Sequence, residues 1–215
     1  MDVSTFINTA RTQSHTPITL VDDDEGLLLL NLEYQDWVSF IKDKIGEEYF
    51  FKEYVNDVVA GSVDYPLDLP TSVAEGIDKI IKVGIKYTLD QEFYTMCTPM
   101  SVKTLTNTLD YYKTGQPTTT PFYTISENMI RIYPASEVDI DEGAYLASTY
   151  TPIDLLIGDD ESKILIPRQY QTGLLYGLMS RMFQKRGLTN DEQYYKSRAD
   201  VERSNMVKSM GNRVQ

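Results

Sequence analysis

The chain has 215 residues, 32 of them acidic and 20 basic, a net charge of −12, one cysteine and one histidine. That length supports a substantial core in one domain or two small lobes; Cys97 has no intrachain disulfide partner, a Cys/His metal cluster is excluded, and folding in a reducing cytoplasm fits. No basic segment leads into an apolar block near the start, and the longest apolar run, Leu27 to Leu30, falls far short of the roughly 20 residues that cross a bilayer, so neither export signal nor membrane span is predicted.

Val3, Phe6, Ile7 and Ala10 recur at helical spacing behind a cap at Asp2, which predicts a short helix to about Gln13, ended by His15, Thr16 and Pro17. The acidic run Asp22-Asp23-Asp24-Glu25 then precedes Leu27 to Ile45, where Leu27, Leu30, Tyr34, Trp37, Val38 and Ile41 form the next stripe. Carboxylates at that point accept from free N–H groups and oppose the positive end of the helix dipole. A calcium loop is the other reading, but these acids lack the alternate spacing and the glycine of an EF-hand.

Tyr49 to Val59 reads as a strand, followed by a turn at Gly61-Ser62 and an extended Tyr65-Pro66-Leu67-Asp68-Leu69-Pro70. In Ile77 to Thr88 the period is two, with Ile81, Val83, Ile85 and Tyr87 on one face and Lys82, Gly84 and Lys86 on the other. Ser101 to Tyr112 predicts a short helix ended by Gly115 and Pro117. Tyr123 to Pro134, Y-T-I-S-E-N-M-I-R-I-Y-P, has the alternation of a β-hairpin with Ser126, Glu127 and Asn128 as its turn. An acidic loop, Glu137 to Glu142, and a strand, Ala144 to Tyr150, complete a β-rich middle that Thr151-Pro152 ends.

From Pro167 the period is helical again, through Tyr170, Leu174, Leu175, Leu178, Met182 and Phe183, until Gly187 breaks it. Thr189, Asn190 and Asp191 offer caps for a last helix to Lys208, and so short a loop makes these two helices antiparallel neighbours. The predicted class is α+β: a bundle of N- and C-terminal helices (residues 1–48 and 161–215) from which a central β-rich insertion (49–160) projects.

Signatures of chemistry are missing from the sequence: there is no G-x-G-x-x-G, P-loop or G-x-S-x-G. A histidine-based mechanism would rest on His15, in a polar turn. Asp159-Asp160-Glu161 is the obvious carboxylate cluster, but G-D-D-E-S-K is the setting of an exposed loop. Tyrosines can form a stacking platform for sugars or bases, yet Tyr87, Tyr123 and Tyr133 lie in strand patterns where aromatics are ordinary. No catalytic residue, metal or cofactor is predicted.

Charge is unevenly divided. Lys163 to Gln215 carries ten basic and four acidic residues, or +6, and the remainder is −18. The overall acidity argues against a general nucleic-acid binder, because phosphate affinity rests on lysine and arginine. The asymmetry allows identical subunits to attract head to tail, or the basic end to dock on an acidic partner; solvated helix faces are the plainer reading.

The order of these parts resembles the head-to-tail adaptor, or neck ring, proteins of tailed bacteriophages, in particular the tail tubular protein A group of short-tailed phages. The likeness is carried by Tyr65, Pro66, Leu67, Leu69 and Pro70; Gly115 and Pro117; Tyr123, Ile125, Ile130, Ile132 and Pro134; and Ile166-Pro167 with Tyr170. It implies a non-enzymatic virion protein of the neck or tail region, made in the host bacterial cytoplasm. Such proteins form homo-oligomeric, commonly dodecameric, rings between the portal protein and the tail nozzle or next neck ring, and DNA passes through without specific binding. The acidic portion would line that channel and repel phosphate. The resemblance places a candidate portal or subunit interface at Arg181, Lys185, Arg186, Lys196, Arg198, Arg203, Lys208 and Arg213, with Met179, Met182 and Phe183 either joining it or buried in the subunit's own core. The alternatives are a cell-wall hydrolase using Asp159, Asp160 or Glu161, and a tail-associated receptor or carbohydrate-binding module built on the β region.

Overall fold

The computed structural model describes residues 2–66, 75–101, 116–126 and 129–211. Residues 67–70 of the expected extended segment, the helix expected at Ser101 to Tyr112 beyond its first residue, Gly115, the turn residues Glu127 and Asn128, and Arg213 lie outside them. The fold is α+β, and the chain divides into two units, one of residues 1–49 and 152–215 and one of residues 50–151.

Four helices build the first unit: α1 (Val3–Gln13), α2 (Asp23–Lys44), α3 (Gln171–Lys185) and α4 (Thr189–Gly211). Both N-terminal helices begin as their sequences dictate. The Asp2 carboxylate accepts from Thr5 N at 2.7 Å and the Asp22 carboxylate from Glu25 N at 2.9 Å, satisfying amides that the first turn leaves free. Helix α2 starts four residues before Leu27, so Asp23, Asp24 and Glu25 occupy its first turn. His15, at φ 51°, takes the left-handed position that ends α1, with Thr16 N donating to Arg11 O at 2.9 Å. Pro167 precedes a 3-10 turn, Arg168–Tyr170, rather than opening α3 directly.

Helix α3 is buried on most of its circumference because α1, α2 and α4 all pack on it. Met179, Met182 and Phe183 are buried in this core, so they are not apolar patches for a neighbouring subunit. Two glycines, Gly173 and Gly177, permit the close approach. A Cβ at Gly173 would sit 2.7 Å from Trp37 Cζ2, and one at Gly177 only 2.1 Å from Glu33 Oε1.

The second unit pairs two four-stranded sheets built from β1 (Phe51–Val58), β2 (Asp64–Pro66), β3 (Glu75–Ile85), β4 (Thr95–Met96), β5 (Thr98–Pro99), β6 (Phe122–Ser126), β7 (Met129–Tyr133) and β8 (Ile140–Pro152). Their orders are β1-β8-β3-β4 and β2-β7-β6-β5. The hairpin forms β6 and β7, antiparallel with Tyr123 opposite Ile132 and Ile125 opposite Ile130. One shared core takes Val58, Val83, Ile85, Ile140, Ala144 and Leu146 from the first sheet and Tyr65, Tyr123, Ile130 and Ile132 from the second. The sheets therefore face one another as a small sandwich. The other face of the hairpin stacks Phe122 on Tyr133, ring centroids 5.1 Å apart, beside Val63.

Two expectations need correction here. Part of the acidic loop Glu137 to Glu142 is strand: β8 begins at Ile140, buried opposite Val58, and passes Glu142 (φ 50°) where the register with β1 shifts. Glu142 N donates to the Asp57 carboxylate at 2.9 Å, so a bulge absorbs the acids that read as a loop. In β3, Val83 and Ile85 are buried, but Ile81 is 41% exposed. Truncating the centre of the sandwich should be costly: Ile132→Ala is expected to destabilise this unit by about 2–5 kcal/mol, read by hydrogen exchange of the β6–β7 amides.

Candidate functional site

The densest polar constellation lies within the helical unit, where α2, α3 and α4 meet. Glu33 is 5% exposed, in the same inward stripe as Leu30, Trp37 and Ile41. Its Oε2 accepts from Arg181 Nε at 2.9 Å and its Oε1 from Arg203 Nη2 at 2.7 Å, so α3 and α4 each supply a guanidinium to one α2 carboxylate. Arg181 also reaches Asp36 at 2.5 Å, and Arg203 reaches Asp200 at 3.2 Å. The Arg203 guanidinium lies over the Trp37 ring, 5.2 Å from its centroid. Burial pushes the Glu33 carboxyl up, while Arg203 and Arg181 pull it back. A cavity of about 290 Å³ adjoins the cluster, lined also by Ser180, Glu192 and Lys196.

The predicted interface residues fall into two groups. Arg181 and Arg203 are committed to Glu33; Lys185 pairs with Glu25 at 2.5 Å; and Arg186 donates to Ser14 O, tying α3 to the end of α1. These four cations hold the unit together; Arg181, Lys185 and Arg203 are compensated by carboxylates, whereas Arg186 meets a neutral backbone carbonyl. Arg198 and Lys208 lie on the outward side of α4, and Lys196, also exposed, lines the cavity beside Glu33. Arg198 is braced by the Tyr194 hydroxyl at 2.7 Å and lies over the Tyr176 and Tyr194 rings.

The residues considered for chemistry have local duties. His15 is the exposed C-terminal residue of the α1 cap. Asp159 accepts from Leu156 N at 2.7 Å, Asp160 from Ser162 N at 2.8 Å, and Glu161 sits 3.7 Å from Arg168. The bonds from Ser162 hold the Asp160 carboxyl below its ordinary value, opposite to the shift a general acid needs. Among the described residues no group of three or more His, Cys, Asp or Glu side chains is placed to hold a metal ion. In the β unit, burial raises the Cys97 thiol to about 12 and the Tyr65 hydroxyl to about 12, as expected of groups packed against an apolar core. Sequence reading missed Glu33 altogether. Its only signal was an acidic residue at an inward position of the α2 stripe.

No protein-family model matches the chain, and no curated protein is significantly similar to it.

Trp37, the only tryptophan, is fully buried beside this cluster and reports on the helical unit by its fluorescence. Arg203→Met is expected to cost about 3 kcal/mol near neutral pH, the lower end for a broken buried pair because Arg181 remains. Without Arg203, burial holds the Glu33 carboxyl further above its unfolded value. A raised carboxyl contributes stability below the unfolded value and loses it as pH rises through the folded one. The penalty relative to the parent should therefore grow as pH rises above the ordinary carboxylate range, read by urea denaturation. Gly177→Ala, which drives a Cβ into Glu33, should lower the same midpoint with little change in the β6–β7 amide protection.

Proposed function

We propose that this chain is a structural head-to-tail adaptor of a tailed-bacteriophage virion, forming a ring below the portal and linking capsid to tail around the DNA channel. The observation that carries the reading is the order of parts. Residues 1–49 and 152–215 form one helical unit, and residues 50–151 form a β unit between them. The residues of the resemblance that fall in the β unit's core are Tyr65, Tyr123, Ile130 and Ile132. They are architectural positions, so what they support is shared architecture rather than a shared site. Ile166 and Tyr170 are likewise buried in the helical unit.

On this reading the protein has no catalytic step. The helical unit supplies the ring contacts and the β unit meets the next tail component. The acidic excess of residues 1–162, −18 in all, suits a channel through which a phosphate backbone must slide. The uncommitted cations Lys196, Arg198 and Lys208 suit docking to acidic surfaces, either of the portal or of a neighbouring copy.

Electron microscopy of the purified protein, alone and mixed with a portal protein from the same phage, is expected to show rings, seated on the portal where it is present. A chain that stays monomeric and never joins the portal would remove the basis for this reading. Docking should weaken with added salt, since the available cations are exposed and screened.

A further inference from the structure

Helix α4 is poorly covered by its own unit. In a helix of 23 residues, only Ala199 and Met206 are buried among those described. Helices so polar on every side hold little hydrophobic stabilisation of their own. Its outward face is nevertheless ordered in type: Tyr194, Arg198, Val201, Asn205 and Lys208 recur at four- and three-residue steps, all exposed, as along the seam of a helix pair. Tyr194 is 54% and Val201 57% exposed, and the Tyr194 hydroxyl accepts from the Arg198 guanidinium at 2.7 Å.

A second unpartnered face lies on α2, opposite its buried stripe. Leu28 and Leu32, one turn apart, are 58% and 47% exposed. Asp24 stands one turn before them and Gln35 one turn after. Asn31 pins the neighbouring segment by donating to Leu155 O at 3.0 Å and accepting from Leu155 N at 2.7 Å. Gln35 donates to the Asp154 carboxylate at 3.1 Å. Ile153, Leu156 and Ile157 are thereby held exposed beside Leu28 and Leu32, so the patch is apolar in the middle and acidic at its edges.

We propose that these faces are the two halves of one contact between copies of this chain: the Tyr194–Lys208 face of α4 lies antiparallel across α2 and residues 153–157 of the next copy. This rests on the ring reading above. The match is one of length, polarity and charge. With Val201 set between Leu28 and Leu32, a rise of about 1.5 Å per residue brings Lys208 level with Asp24 and Arg198 toward Asp154. Neither Asp24 nor Lys208 has an ion-pair partner among the described residues. A parallel alignment instead sets Asp24 level with Tyr194 and Tyr195, without a cation. Because the two faces differ and point away from each other's cores, the contact is heterologous and repeats from copy to copy.

Disulfide trapping tests this in the full chain. Leu28→Cys and Val201→Cys are made separately in a Cys97→Ser background, checked for folding by Trp37 fluorescence, mixed, and oxidised mildly. Linked dimers are expected from the mixture and not from either variant alone. Arg198→Glu with Lys208→Glu in the Val201→Cys chain should abolish linkage, and Asp24→Lys with Asp154→Lys in the Leu28→Cys chain should restore it. Oligomers that form by native mass spectrometry without this linkage would overturn the contact and leave the ring reading intact. Linked chains that never close into a ring on the portal would support the contact and count against the adaptor reading. A chain that does not self-associate, with or without the portal, overturns both.

Discussion

A buried carboxylate governs the helical unit. Left alone among apolar side chains, Glu33 would carry an ionisation penalty of several kcal/mol. Two guanidiniums from different helices offset it, and Gly177 leaves the space its side chain fills. The three helices can meet this demand in one register, since a slip of a single turn in α3 or α4 would strand Arg181 or Arg203 as well as Glu33. The cluster thus contributes more to which packing is chosen than to how stable that packing is. Polar links reinforce the choice: Ser180 Oγ donates to Glu192 O at 2.9 Å, and Tyr170 pairs with Ser209 at 2.5 Å. The same arrangement withdraws two arginines from any external role.

What could be read in the sequence was local. The caps at Asp2 and Asp22, the acidic first turn of α2, the hairpin at Tyr123 to Pro134 and the break at Gly187 each depend on a few adjacent residues. The α+β class followed from the change of period along the chain. What could not be read depends on partners remote in sequence. Glu33 and Arg181 are 148 positions apart, so nothing near either one marks them as a pair. Gly173 and Gly177 sit inside an apolar stripe, where their role as sites of close approach is silent. The bulge at Glu142 looked like a loop because its acids were counted and the buried Ile140 was not. β4 and β5, two residues each, are too short to leave a period. The outward turn of Ile81 shows that alternation identifies a strand without fixing where along it burial begins.

Reading the basic C-terminal region as a docking surface from composition alone also misjudged its parts. Arg181, Lys185 and Arg203 are paired with carboxylates of α2, so their contribution to an outer field is small, and Arg186 is engaged by the Ser14 carbonyl just beyond α1. The exposed remainder is concentrated on α4, the helix least buried by its own unit. Charge and lack of cover therefore coincide on one helix face. That coincidence is more informative than the net +6 of the region, because a net charge says nothing about which cations have partners.

Helix α4 packs on α3 through Ala199, Met206 and the stacking of Tyr195 on Phe183, and is tied to α2 by the Arg203–Glu33 ion pair, while its opposite face meets water. Local stability follows buried apolar area, so this helix belongs at the low end of the unit's stability range. Anything that covers its outer face binds the ordered helix in preference to the frayed one, and stabilises it by mass action. A contact between copies through this face would order α4 as it forms, coupling assembly to the completion of the fold. The ion pairs around Glu33 would then be reinforced in the assembled state, since they depend on α4 staying in place.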